Sequence, residues 1–330
     1  MEIDSRYMAR ALQLAALGRG HTCSNPMVGA VIVGPDGSIA GEGYHHCFGG
    51  AHAEVNAIAS VSDPGILRRC TMYVTLEPCS HYGKTPPCAQ LLIDRQIPRV
   101  VIGSLDPNAK VSGRGVEMLR GAGIEVSTGV MEPECRQLNR KFFTAHTKHR
   151  PYILLKWAMS ADGYMDCKRT GGTAARFSNP LTQMALHRLR SEFDAVLTGS
   201  GTVKADNPRL DTRFWPGNSP RVVAMDRSKR LSDKYEVLRR PDTIIIDNST
   251  DLHAAMHHLF VQGITSVITE CGPTLLRALI AENLYDEVRI EISPVKLGEK
   301  GTCPAPAIPE GIRHTSSVYG NTIVSISNFN

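Results

Sequence analysis

Apolar and polar positions along the chain change period from element to element. In residues 4–19, Tyr7, Met8, Ala11, Leu12, Leu14, Ala15 and Leu17 recur at helical spacing, with Asp4 as the expected cap and Gly18 and Gly20 as stops. Strands are predicted at Val28–Val33 and Ile39–Tyr44 around a Pro35-Asp36-Gly37 turn, then at Thr71–Leu76, Arg99–Gly103 and Ile124–Thr128. Helices are predicted between them, at His52–Ser60, Cys88–Arg95 and Gly113–Arg120, and one more helix spans Glu134–His146. His149-Arg150-Pro151 marks a boundary, because Pro151 disfavours helix at Arg150.

Alternation resumes beyond it. Strands are predicted at Tyr152–Lys156, Ala195–Gly199, Arg221–Met225, Thr243–Ile246, Ser266–Thr269, Glu287–Ile292 and Thr322–Ile326. Helices are predicted at Pro180–Ser191, Asp251–Val261 and after Pro273. The pattern predicts two α/β domains, 1–148 and 149–330, the first a three-layer α/β/α sandwich. A chain of 330 residues also exceeds the comfortable size of one core.

Composition is that of an ordinary globular protein, with no membrane segment or signal-peptide pattern in Met1-Glu2-Ile3-Asp4-Ser5-Arg6 and the chain that follows. The 9 cysteines are odd in number and follow no framework, which suits reduced thiols and a cytoplasmic location. Net charge is +5 and the basic residues are dispersed, which fits a small phosphorylated ligand better than a nucleic acid. A homo-oligomer, dimer or tetramer, is the expected assembly.

His52-Ala53-Glu54, Pro78-Cys79 and Cys88 carry the candidate chemistry. One imidazole and two thiolates make three ligands for a tetrahedral Zn²⁺, and the open fourth position of a catalytic site takes a water. Glu54, two residues past His52 at a helix start, can reach that water as a proton shuttle. This fits the H-x-E and P-C-x-x-C pattern of zinc nucleobase deaminases, with eight residues in place of two between the cysteines. A closed site with His81 as fourth ligand, or buried thiols without metal, is the competing arrangement. Asn25 and Asp106-Pro107-Asn108 read as turns at the site's rim. Gly199-Ser200-Gly201 lacks the third glycine of a dinucleotide fingerprint and reads as a simple turn. Arg227-Ser228 follows a strand, where an adenosine 2′-phosphate can be met.

The run Glu77-Pro78-Cys79-Ser80-His81-Tyr82-Gly83-Lys84-Thr85-Pro86-Pro87-Cys88, with Asn25-Pro26-Met27-Val28-Gly29, Asp106-Pro107-Asn108, Gly113 and Gly115, resembles the bifunctional riboflavin-biosynthesis deaminase/reductase family. The resemblance covers nearly the whole chain. It implies a cytidine-deaminase-like first domain and a dihydrofolate-reductase-like second domain, with Zn²⁺ and NADPH as cofactors. It also implies deamination of 2,5-diamino-6-ribosylamino-4(3H)-pyrimidinone 5′-phosphate, then reduction of its ribosyl to a ribityl group. Asn25, His81, Lys84, Asp106 and Asn108 are implied at the first substrate.

In the second domain it implies Lys156, Ser178, Arg190, Asp206, Leu210, Arg213 and Glu270 at substrate. Ala158, Thr202, Asp206, Arg227, Ser228 and Gly272 are implied at the cofactor. One departure stands out, because Arg176-Phe177-Ser178 occupies a place where the family has tryptophan before an Ile-Thr or Ile-Ser pair. An RNA-editing deaminase with an accessory domain would share the zinc residues, but it would need a basic face. A binding module with a relic zinc site would not need Glu54.

Overall fold

The computed structural model describes residues 2–82, 86–108, 112–170, 172, 174–247 and 251–328. The chain divides into two compact units, Met1–Lys148 and His149–Asn330.

In the first unit, α1 (Glu2–Ala16) precedes the hairpin of β1 (Gly29–Val33) and β2 (Ile39–Tyr44). Then come α2 (Ala53–Ala59), β3 (Thr71–Leu76), α3 (Cys88–Asp94), β4 (Arg99–Ser104), α4 (Arg114–Gly121), β5 (Glu125–Thr128), α5 (Glu132–Leu138) and α6 (Arg140–Lys148). The sheet order is β2-β1-β3-β4-β5, with β1 antiparallel to both neighbours and β3, β4 and β5 parallel. Because side chains alternate across a strand, Ala30 and Ile32 join one core with Ala57, Leu92 and Leu119, while Val31 and Val33 join another with Met8, Ala11 and Cys135. Helices on both faces make three layers.

Three expectations change here. Asp4 is no cap: the helix begins before it, and its carboxylate accepts from Arg99 Nη1 (3.0 Å) and Nη2 (2.8 Å) and from Tyr73 Oη (2.7 Å). The helix expected over Glu134–His146 is two helices broken at Asn139. That buried amide accepts from Met27 N and donates to Met27 O, both at 2.8 Å, so a tertiary contact interrupts a run whose local pattern is continuous. Gly199-Ser200-Gly201 is a strand-to-helix junction rather than a simple turn.

The second unit comprises β6 (Tyr152–Met159), β7 (Tyr164–Cys167), α7 (Pro180–Ser191), β8 (Ala195–Gly199), α8 (Ser200–Asp206), β9 (Arg221–Met225), β10 (Ile244–Ile246), α9 (Leu252–Val261), β11 (Ser266–Glu270) and α10 (Pro273–Ala281). It closes with β12 (Glu287–Ile292), β13 (Gly301–Pro304), β14 (Ile312–Val318) and β15 (Asn321–Ser327). The main sheet runs β10-β9-β8-β11-β6-β12-β15-β14, parallel as far as β12 and antiparallel beyond, and β7 pairs with β13 apart from it. Leu154 faces one core with Val196 and Ile268, while Ile153 and Leu155 face the other with Met256 and Leu276. β14 escapes the sequence pattern because it is an edge strand whose residues are nearly all exposed, so nothing forces its side chains to alternate.

Candidate functional site

The first site forms where β3 and β4 end. His52 is the N-cap of α2 and Cys88 the first residue of α3. Glycines make that placement possible: a Cβ on Gly43 would stand 2.3 Å from Ala57 N, so α2 lies directly on β2. On the other side a Cβ on Gly115 would stand 2.2 Å from Pro78 O, which lets the start of α4 press against the cysteine turn.

His52 Nδ1 lies 3.6 Å from Cys79 Sγ and 3.3 Å from Cys88 Sγ, and the three ligand atoms fall within 4.8 Å of one another. Tetrahedral zinc with ordinary Zn–N and Zn–S bonds spaces a nitrogen and a sulfur ligand about 3.6 Å apart, so this donor set fits zinc in both chemistry and size. Cys79 is held toward the thiolate, to about 4, by hydrogen bonds from Cys88 and His52, and the Cys88 thiol is pushed up in turn. Glu54 is buried in the first turn of α2. Burial, reinforced by Cys79, raises its carboxyl to about 7, while a cation bound alongside would work against that rise. Its side chain also hydrogen-bonds with Cys88.

Around this core stand groups that spacing alone did not reveal. His45 Nδ1 lies 3.1 Å from Ala51 O, which can only accept, so Nδ1 carries the proton and Nε2 accepts from Asn25 Nδ2 at 3.3 Å. The Asn25 amide is thereby oriented, and its turn is anchored through Met27 by Asn139. Buried Glu77 accepts from the backbone N–H groups of Asp106, Gly113, Gly115 and Val116 at 2.9–3.3 Å. Asp106 accepts from Asn108 N at 2.8 Å, and burial still raises its carboxyl above the usual range. His81 is exposed but close enough to act electrostatically on Asp106. Lys84 lies outside the described residues.

The second unit holds a cleft of about 1390 Å³ at the carboxyl ends of its parallel strands. Lys156, Ala158, Ser178, Thr202, Asp206 and Leu210 line it. Arg190, Arg227, Ser228, Glu270 and Gly272 do so as well. Arg213 is absent from this lining; it pairs with Asp211 at 2.5 Å and stacks on Phe214. Arg190 commits its donors to Glu270 (2.6 and 2.8 Å) and to Asp211 O (2.8 Å). Burial opposes the charged form of Glu270, yet Arg190 outweighs it and holds the carboxyl below its ordinary value.

Asp206 is likewise paired, with Arg169 at 2.7 Å, and Arg169 also binds Asp166 at 2.7 Å. Neither Asp166 nor Arg169 carried a signal in the sequence, since each is one charge in a short strand or loop. Arg176 lines the cleft as an exposed cation. Arg230 reaches Ser200 Oγ at 3.4 Å beside Arg227 and Ser228. Asn207 and Leu210 adopt left-handed backbone (φ 41° and 52°), so the Asp206–Leu210 segment is strained where it meets the cleft. Space beyond that of an ordinary ligand pocket, together with cations at the end of β9, fits a phosphorylated dinucleotide beside a nucleotide.

Comparison with known proteins agrees with this geometry. Residues 1–104 match the cytidine and deoxycytidylate deaminase zinc-binding region, and residues 151–322 match the RibD C-terminal domain. Riboflavin biosynthesis protein RibD of Aquifex aeolicus is 38% identical over 90% of this chain and 89% of its own length. That of Escherichia coli is 37% identical, covering 92% of each. Among solved structures, RibD of Acinetobacter baumannii superposes with a TM-score of 0.87 at 31% identity over 99% of both chains. A diaminohydroxyphosphoribosylaminopyrimidine deaminase/5-amino-6-(5-phosphoribosylamino)uracil reductase of Thermotoga maritima gives 0.86 at 34% identity, again over 99% of both.

Proposed function

Since the chain belongs to the RibD family of riboflavin biosynthesis proteins, we propose that its two units carry the two reactions separately, deamination in 1–148 and reduction in 149–330. The chain is a zinc-dependent deaminase and an NADPH-dependent reductase. It hydrolyses the 2-amino group of 2,5-diamino-6-ribosylamino-4(3H)-pyrimidinone 5′-phosphate. It then reduces ribosyl to ribityl, giving 5-amino-6-(5-phospho-D-ribitylamino)uracil. The observation that carries the first reaction is the convergence of His52 Nδ1, Cys79 Sγ and Cys88 Sγ next to buried Glu54.

His52, Cys79 and Cys88 would hold zinc, which would supply the Lewis acidity that activates a water near neutral pH. Glu54 takes one proton as water adds to the amino-bearing carbon and passes it to the ring nitrogen; the remaining hydroxyl proton then moves through Glu54 to the amino group as the C–N bond breaks and ammonia leaves. Asn25, oriented by His45, and the Glu77-braced Asp106–Asn108 turn hold the pyrimidine, with His81 toward its phosphate side.

In the second unit Arg227, Ser228 and Thr202 would hold NADPH, which would supply the hydride needed to reduce the sugar at C1′. Opening the C1′–O4′ bond leaves an oxygen that needs a proton, and Lys156, a buried cation in the cleft lining, gives it. Burial lowers the pKa of Lys156, which makes that donation easier. Asp206, fixed by Arg169, and Glu270, fixed by Arg190, contact the sugar, while Arg227, Ser228 and Thr202 take the cofactor's phosphates. Arg213 would have to leave Asp211 to join them. Among the described residues no helix is long and apolar enough to cross a membrane. A homo-oligomer working in the cytosol belongs to the same reading, supported by the irregular cysteines.

The deciding experiment supplies the zinc-loaded chain with the free nucleotide and measures ammonia, then supplies deaminated product and measures NADPH oxidation. Ammonia from RNA but not from the nucleotide, with no NADPH consumed, would replace this reading with an editing deaminase.

A further inference from the structure

β12 runs parallel to β6 with Arg289 opposite Lys156 and Glu291 opposite Ala158, so Lys156 and Glu291 rise from the same face of the sheet. Glu291 is only 3% exposed. A carboxylate buried that deeply is costly unless its oxygens are satisfied, and here each has a donor. Oε1 accepts from Asn321 Nδ2 at 2.6 Å, and Oε2 accepts from Ser178 Oγ at 2.7 Å. Lys156 Nζ stands 3.9 Å from the same Oε2, and Thr182 adds a further side-chain hydrogen bond. Ser178 and Lys156 both line the cleft, and Glu291 stands behind them.

The chemistry of that arrangement is directional. A carboxylate can only accept, so the single proton of the Ser178 hydroxyl is committed to Glu291. Toward the cleft Ser178 then offers lone pairs alone. The ammonium of Lys156 has its own charged surroundings, Glu270 and Glu291 on one side of the balance and Arg190 and Arg289 on the other. We propose that Glu291 is a positioning residue for the reduction, turning Ser178 into an acceptor for an N–H or O–H group of the bound ligand and keeping Lys156 protonated. This rests on the cleft being the reductase site.

Glu291→Gln tests it in the full chain. The amide keeps the shape, removes the charge and can donate to Ser178, so the hydroxyl is no longer obliged to present only lone pairs. With deaminated substrate, kcat/KM for NADPH oxidation should fall by about tenfold. Loss of one neighbouring negative charge lets Lys156 deprotonate more easily, so the alkaline limb of the pH profile should move to lower pH. Ammonia release should not change, and retained NADPH binding shows that the second unit is folded. Glu291→Asp retains the charge on a shorter arm: the limb should return to its place while KM stays raised, because Ser178 is out of reach.

An alkaline limb that does not move in Glu291→Gln, with kcat/KM intact, overturns the proposal. Should Glu291→Gln lose NADPH binding because the second unit fails to fold, Glu291→Asp carries the test, and an unaltered KM or a displaced limb there overturns it. Ser178→Ala and Lys156→Met separate the two readings. If both reduce substrate normally, the cleft assignment itself fails; if both are impaired while Glu291→Gln is normal, only the positioning role fails.

Discussion

Cys79→Ser should strip zinc from the first site, because the thiolate is one of three ligands and no other described sulfur lies with them. His81→Ala should leave the metal in place. Metal content after dialysis checks both, and equal loss from the two variants would mean a closed four-ligand site. In the second unit Arg227→Ala should narrow the preference for NADPH over NADH, read as the ratio of kcat/KM values. Arg230, close to Ser200 Oγ, retains part of the charge there, so the preference should shrink rather than invert. At this scale the residue types were legible in the sequence, since zinc demands particular donors at a helix start. Their commitments were not. Arg190 and Asp206 both look like ligand-binding charges in the chain, yet each is already paired, with Glu270 and with Arg169, and only folding brings those partners together.

Between elements, the ion pair of Asp4 with Arg99 ties α1 to β4, and the Tyr73 hydroxyl adds β3. Hydrogen bonding from Arg99 holds the Asp4 carboxyl below its ordinary value despite partial burial. A depressed folded pKa contributes stability that is full above the unfolded value, about 3.9, and is lost as pH falls through the folded one. Asp4→Asn should therefore lower stability by about 1–2 kcal/mol near neutral pH, and thermal melts of the two proteins should converge below pH ~3. Asn139→Ala removes both hydrogen bonds to Met27 and leaves its part-buried backbone groups without these partners, at about 1–2 kcal/mol. It should also raise KM for deamination, because Met27 sets the turn that carries Asn25, while NADPH oxidation is unaffected; an unchanged KM would detach Asn139 from the site. The period of apolar positions was enough to read most helices and strands, because burial imposes it. It failed where burial does not act, at the exposed edge strand β14, and where a distant contact overrides it, at Asn139.

For the molecule as a whole, the two proposed sets of active-site residues share no group, so the activities should come apart. Glu54→Gln keeps the size of the side chain and removes the proton shuttle, so ammonia release should fall by about 10²–10⁴-fold with zinc retained and hydride transfer to pre-deaminated substrate nearly intact. Asp206→Asn should do the converse. If Glu54→Gln abolished both in folded, zinc-loaded protein, one composite site would have to replace two. By itself the sequence determined the two-unit α/β plan, the junction near residue 149 and a His52, Cys79 and Cys88 donor set beside Glu54, because periodicity, turn residues and ligand chemistry are local signals. Tertiary structure alone decided how His45 orients Asn25, how Glu77 gathers the Asp106 loop, and that Ser178, Lys156, Glu291 and Asn321 meet. Those contacts follow from strand orders of β2-β1-β3-β4-β5 in the first unit and β10-β9-β8-β11-β6-β12-β15-β14 in the second, in which neighbours in space are separated in the chain. No local pattern of residues records such a pairing, since it arises only when the sheet closes around its core.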